Sequence, residues 1–179
     1  MSLTKLRVLT AYFSHAGNNY VNGRIVNLPV GNTEVVAKMI QEITKGDILR
    51  IEKIKPYPID YRETVDVSRE ELKNNERPEL ISKPENIDDY DVIILGYPNW
   101  CGTSPMPVFT FLESYDFSRK IILPFCTHEG RAMGQSESDI KKVCKGAKVL
   151  KGLPIKGSRV KDAEKEVKQW LEKSNIIWV

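Results

Sequence analysis

Short apolar runs and helical periods alternate along the whole chain. Leu6-Arg7-Val8-Leu9-Thr10-Ala11-Tyr12-Phe13 has the length and composition of a strand. After a polar interval, Val35, Val36, Met39, Ile40 and Ile43 share one helical face, and Gly46 stands where such a helix stops. Asp47-Ile48-Leu49-Arg50-Ile51 predicts a second strand. From Asp60 to Asn75 a weaker period through Tyr61, Val65 and Leu72, set among charged residues, predicts an exposed helix. Asp91-Val92-Ile93-Ile94-Leu95-Gly96 is almost wholly apolar, as expected of a central strand covered on both faces. Val108, Phe111, Leu112 and Tyr115 give the next helical stripe, with Pro107 in the first turn, where a missing N–H costs nothing.

Ile121-Ile122-Leu123-Pro124-Phe125-Cys126 predicts a fourth strand, followed by a helix around Ile140 and Val143. Lys148-Val149-Leu150 opens a fifth strand broken by Gly152 and Pro154, and Ala163, Val167, Trp170 and Leu171 make the last helical face. There is no internal repeat and no linker. Five strands alternating with about five helices predict one α/β domain on a doubly wound parallel sheet. Such sheets bind ligands outside the carboxyl ends of their strands.

Composition narrows this by exclusion. In 179 residues, 27 Lys plus Arg oppose 24 Asp plus Glu, for a net charge of +3, and the two signs are interleaved. That leaves no electrostatic footprint for nucleic acid. No apolar stretch approaches the roughly 20 residues of a membrane helix. Met1-Ser2-Leu3-Thr4-Lys5 leads straight into the first strand with no apolar signal core, so a cytoplasmic protein without a membrane partner is expected. Cys101, Cys126 and Cys144 form no Cys-x-x-Cys, and His15 and His128 are the two histidines, so neither a disulfide framework nor a metal site is signalled.

Candidate chemistry lies in three loops after predicted strands. After the first come Ser14-His15-Ala16-Gly17-Asn18 and then Gly31-Asn32-Thr33-Glu34, directly before a helix. Small, hydroxyl and amide residues there leave backbone N–H groups free to hold an anion, although they also make an ordinary N-cap. Glu34 stands where a P-loop carries Lys, and no Gly-x-Gly-x-x-Gly occurs, so a monophosphate suits the loop better than a triphosphate or a dinucleotide. The third strand leads into Tyr97-Pro98-Asn99-Trp100-Cys101-Gly102, where Trp100 offers either a flat face to a planar ring or a lid on the core. The fourth leads into Thr127-His128-Glu129-Gly130-Arg131, a polar loop able to hydrogen-bond a heterocycle's edge or simply to be a solvated turn.

In this order the three loops resemble those of the flavodoxin-like FMN-binding family, in the bacterial branch whose ring loops read Tyr-Pro-x-Trp and Thr-x-x-Gly. The resemblance covers nearly the whole chain. It implies a three-layer sandwich with five parallel strands in the order 2-1-3-4-5, and FMN as cofactor. It implies that Ser14, His15, Ala16, Gly17, Asn32 and Thr33 hold the phosphate, His15 through its backbone. Pro98, Asn99, Trp100, Cys101 and Gly102 would line one side of the isoalloxazine, and Thr127, His128, Glu129 and Gly130 the other. The resemblance also implies a peptide near Gly102 that rotates with redox state, which a glycine permits. A positive charge on His128 at the ring's N1–C2 edge would make the potential depend on pH near neutrality; an exposed His beside an exposed Glu is the alternative.

One departure stands out, because the family runs from its loop glycine directly into Asn-Thr, whereas residues 18–30 intervene here. Either Gly17-Asn18 or Gly31-Asn32 fills that role, and the position before the helix favours Asn32-Thr33. The insert reads as a cover, a partner surface or a surface excursion. No general acid, base or nucleophile is evident, and flavin chemistry needs none. The implied function is electron transfer or FMN-dependent oxidoreduction with a redox partner protein or small-molecule acceptor, by a monomer or dimer. The positive net charge weighs against an acidic carrier. The alternative is a non-redox module in which the insert has replaced the cofactor.

Overall fold

The computed structural model describes residues 6–81 and 83–176; the Met1–Lys5 segment, read above as lacking a signal core, lies outside the described residues. In chain order the strands are β1 (Val8–Tyr12), β2 (Gly17–Val21), β3 (Arg24–Leu28), β4 (Asp47–Arg50), β5 (Val92–Pro98), β6 (Ile121–His128), β7 (Lys148–Val149) and β8 (Leu153–Lys156). The helices are α1 (Asn32–Thr44), α2 (Tyr61–Lys73), α3 (Met106–Glu113), α4 (Ser136–Val143) and α5 (Glu164–Lys173). The main sheet is parallel, in the order β4-β1-β5-β6-β7, with β8 also on β6. This is the predicted 2-1-3-4-5 order of a flavodoxin-like doubly wound sheet, once the β2–β3 hairpin is set aside.

Alternation within β5 explains its unbroken apolar run. Ile93 and Leu95 enter a core with Phe111 and Leu112 of α3 and Ile140 of α4. Val92 and Ile94 face the opposite core with Val36, Ala37 and Ile40 of α1 and Val167 and Leu171 of α5. Each such fully buried aliphatic side chain contributes about 1.5–3 kcal/mol relative to leaving it in water. Among the described residues no helix is long and apolar enough to cross a membrane, and no His, Cys, Asp and Glu cluster could hold a metal.

The break in the fifth strand has a local cause in the fourth. Ile122 pairs with Val149 and Phe125 with Leu153, so residues 123–124 of β6 face 150–152 across the ladder. Leu150 N–H donates to Ile122 O at 2.9 Å, which places the even-numbered peptides of β6 toward the fifth strand. Pro124 therefore lacks its N–H on that side, and a bulge takes up the missing bond.

Helix α2 is the exposed helix expected from its charges. Its buried residues are Thr64, Ser68 and Glu71, while the Tyr61-Val65-Leu72 stripe does not enter the core. What ties the helix down is polar: Lys53 Nζ lies 2.5 Å from Glu71 Oε1 with both side chains 7% exposed, and Tyr57 donates its phenol to Glu71 Oε2. Burial and the Glu71 hydrogen bond push the Tyr57 phenol far above its ordinary value, so it stays a donor. Lys53 Nζ also sits 3.6 Å from the Tyr57 ring centre. Removing one partner of a buried pair strands the other charge, at a cost of about 3–5 kcal/mol. Glu71→Ala is expected to lose that much in urea unfolding, and a loss under 1 kcal/mol would show that Lys53 finds water without it.

Candidate functional site

β1 delivers the chain to Ser14 and His15 at the carboxyl edge of the sheet, and the chain returns to the same point at Gly31. A Cβ on Gly31 would run into Ser14 Oγ and His15 O, so the crossing needs glycine. Gly31 is the N-cap of α1, with no side-chain cap of its own. Ser14 Oγ supplies one from across the crossing, accepting Glu34 N–H at 3.1 Å, and its own O–H stays available as a donor. The first N–H groups of α1 have no intrahelical acceptor, so Asn32 and Thr33 present free amides there. Thr33 Oγ1 and Thr127 Oγ1 lie 2.8 Å apart and lock the start of α1 to the end of β6. Glu34 is drawn away by Arg50 Nη1 at 2.8 Å and Lys38 Nζ at 2.7 Å.

Between Ser14 and Gly31 the insert is an antiparallel hairpin, β2 on β3, turned by Asn22 and Gly23 at φ 51° and 86°. Its flank is fixed by Asn18 N–H donating to Ile59 O at 3.1 Å, and its tip by Asn22 N–H donating to Glu129 Oε2 at 2.9 Å. Asn19 and Tyr20 wall the space over the α1 terminus, and the Tyr20 and Tyr61 rings lie 6.2 Å apart.

The loop after β5 is a tight turn, with Trp100 and Thr103 exchanging backbone hydrogen bonds across Cys101 (φ 55°) and Gly102 (φ 88°). Asn99 braces it. Its Oδ1 accepts Gly102 N–H at 3.0 Å and its Nδ2 donates to Ala132 O at 2.7 Å, joining the two ring-side loops. Rotating the Cys101–Gly102 peptide would break the first of these bonds, worth about 0.5–1.5 kcal/mol. Trp100 is held edge-to-face by Phe13 (5.3 Å), Tyr57 (4.9 Å) and His15 (5.7 Å).

These elements enclose two adjoining spaces. A cleft of about 150 Å³ at the α1 terminus is lined by Ser14, Asn32, Thr33, Pro98 and Thr127 among others. A groove of about 620 Å³ runs between α2 and the ring-side loops, past Cys101, Gly102 and Gly130. His15, Asn99, Trp100, His128 and Glu129 line both. Of the residues expected from sequence, Ala16 and Gly17 line neither, because the chain has already turned into β2. Thr127 lines the cleft and not the groove. Sequence reasoning missed Gly157, Tyr61, Asn19 and Tyr20. A Cβ on Gly157 would strike Glu129 Oε1 and Asn32 Nδ2. Gly157 follows the fifth strand, and the rule that ligands sit beyond strand ends applied to it as much as to the first four.

Glu129 Oε1 is buried with no hydrogen-bond partner among the described residues, an acceptor on the wall of the cleft. Desolvation lowers the His128 pKa, with Glu129 raising it and Lys156 lowering it further. Gly130 N–H donates to His128 Nδ1 at 3.0 Å, so the neutral ring carries its proton on Nε2. Burial likewise lowers the His15 pKa, against the bond from its Nε2 to Pro58 O at 2.9 Å. Burial pushes the Cys126 thiol up to about 12, leaving the exposed Cys101 as the accessible thiol near the groove.

The family model described as Flavodoxin matches residues 7–174. The chain belongs to the flavodoxin family. Among solved structures, this flavodoxin is similar to a candidate flavoprotein from Bacteroides eggerthii (28% identity, TM-score 0.76, covering 94% of this chain and 98% of that one). A second, from Bacteroides uniformis, gives 27% identity and a TM-score of 0.74 over 94% and 99% of the two chains. The flavoprotein of Lactobacillus acidophilus, solved in complex with FMN, shares the fold at 20% identity and a TM-score of 0.64 over 93% and 99%. No curated protein matches.

Both histidines are depressed from 6.5, so just below that pH the folded flavodoxin binds fewer protons than the unfolded chain. The stability this represents is complete above pH 6.5 and is lost as pH falls toward the folded values. The urea midpoint is expected to drop between pH 7 and 5.5, and His15→Gln to flatten much of that slope. An unchanged slope in the variant would assign it elsewhere.

Proposed function

We propose that this flavodoxin binds FMN, with the phosphate at the α1 terminus and the ring in the groove beside Trp100, and uses it to pass electrons to a small acceptor. The observation that carries this reading is the continuity of the two spaces: a cleft of free amides and hydroxyls opens directly onto a caged aromatic platform. The donor set fits. Ser14 O–H and the amides of Asn32 and Thr33 offer directed donors to a phosphate, and the helix end adds about 0.3–1 kcal/mol. The unpartnered Glu129 Oε1 fits a ribityl hydroxyl, which would give the buried carboxylate oxygen the donor it lacks. Gly31 and Gly157 keep Cβ atoms out of the cradle.

Bound FMN would supply one- and two-electron transfer. The chain's own residues anchor, stack and tune. Trp100, fixed from three sides, needs no reordering to meet a planar ring, which saves the entropy cost that a mobile platform would carry. His128 is neutral near pH 7 and offers an Nε2 hydrogen bond rather than a charge. The Asn99 brace sets the resting orientation of the Cys101–Gly102 peptide. The FMN complex of the L. acidophilus flavoprotein supports the same assignment here. The hairpin walls the cleft and leaves it open, which weighs against a module whose insert has replaced the cofactor. The net charge of +3 favours an FMN-dependent oxidoreductase over a carrier steered by an acidic surface.

Titration of the FMN-free protein with FMN is expected to end at one per chain with quenched flavin fluorescence. A charge-assisted hydrogen bond is worth about 1.5–3 kcal/mol, so Ser14→Ala is expected to weaken FMN by about tenfold or more and to leave riboflavin, which has no phosphate, within twofold. Equal binding of FMN and riboflavin by the native chain would remove the phosphate assignment. NAD(P)H turnover with a quinone would support the oxidoreductase; reduction only by a partner reductase would support the carrier.

A further inference from the structure

The stripe that failed to enter the core lines the groove instead. Val65, Arg69, Leu72 and Lys73 of α2 form one wall, and Arg131, from the loop after β6, stands opposite. The Arg131 guanidinium reaches to 3.6 Å from the point where a Gly102 Cβ would be. Leu72 is 37% exposed although it sits in a concavity, so the wall offers uncovered apolar area.

The charges on these walls are lopsided. Among the described residues, Arg69, Lys73 and Arg131 make no side-chain ion pair, and all three line this one groove. The carboxylate lining the groove is Glu129, engaged at Oε2 by the hairpin tip. Like charges gathered in a concave site raise the local concentration of a counter-ion and cost folding stability through repulsion, so an unmatched cluster is suited to a ligand that matches it. Apolar patches beside the cations suit a flat hydrocarbon body.

The geometry points to a second ligand site in this groove, for a planar aromatic anion that lies against Val65 and Leu72 with its acidic group toward Arg69, Lys73 and Arg131. This names the small-molecule class that would meet the cofactor, and for that role it rests on the FMN reading. Binding of the anion itself does not require FMN.

The test uses 2-naphthoate and its uncharged amide, 2-naphthamide, in equilibrium dialysis at pH 7.5 against the chain with and without FMN. The native chain is expected to bind naphthoate at least tenfold more tightly than the amide, with a preference that shrinks as salt is added. The double substitution Arg69→Gln, Lys73→Gln is expected to bring naphthoate within about twofold of the amide. Its urea midpoint and FMN affinity should match the native chain, which separates lost charge from lost folding. Equal binding of the two probes, or a preference untouched by the double substitution, overturns the proposal. FMN affinity, measured on the same samples by flavin fluorescence, keeps the outcomes apart. Naphthoate preference without FMN binding would sink the cofactor reading alone, and FMN binding without the preference would sink the groove site alone.

Discussion

The site depends on one close crossing of the chain over itself. Residues 18–30 leave the sheet edge at the end of β1, and the chain must come back to contact Ser14 and His15 for α1 to start where its free amides face the cleft. Gly31 is the residue at which this happens, and the missing Cβ is what allows the approach. A backbone passing that close can use Ser14 Oγ as a cap for a helix whose own N-cap has no side chain to offer. Thr33 and Thr127 then bind the new helix start to β6, so the anion end and the ring end are set by one rigid frame. An insertion that failed to close on itself would have dispersed that frame. The Asn22-Gly23 turn and the Gly17–Leu28 pairing bring both ends of the hairpin together, which is why so long an excursion leaves the cleft intact.

The groove follows from a second constraint. A helix that buried Val65 and Leu72 against the sheet would leave no space beside Trp100. Helix α2 is instead held by Glu71, through Lys53 and Tyr57, with Thr64 and Ser68 on the inward side. Buried ion pairs add little net stability over apolar packing, but they fix orientation, since rotation of the helix would leave charges unpaired. Tyr57 takes part both in this cluster and in the cage of Trp100. The same polar tether therefore turns an apolar stripe toward the ligand and helps hold the platform that the ligand would meet.

Most of the sheet was legible because burial on two faces leaves a plain mark: β5 reads as a continuous apolar run, and α1 and α5 as clear stripes. That the candidate loops would gather at one edge was legible because a doubly wound sheet brings its strand ends together. What escaped notice had local causes. The hairpin was announced by Asn22-Gly23 between Tyr20-Val21 and Ile25-Val26, a strong turn signal that the attention given to its length obscured. That Thr127, at the end of β6, meets Thr33 at the start of α1 was not legible, because sequence order says nothing of which loop meets which. That α2 is exposed was legible from its charges, but its weak apolar stripe does not show what it will face. Glu71, which decides the matter, looks in the sequence like any exposed helix charge.

Charge distribution connects the two halves of the site to the net +3 of the chain. Among the described residues the cleft at the α1 terminus is lined by no Lys or Arg; Glu129 is the acid on its wall, and Glu34, at the helix start, is paired with Arg50 and Lys38. An anion there is met by amides and hydroxyls, whose geometry selects shape as well as charge, and whose strength varies little with salt because no mobile counter-ions are displaced from cationic side chains. Arg69, Lys73 and Arg131, which make no ion pair among the described residues, line the groove. Attraction there is longer in range, less particular about shape and screened by salt. On the proposed reading, directed hydrogen bonds would hold the resident cofactor at one end and the field of the cations would draw an exchanging anion to the other.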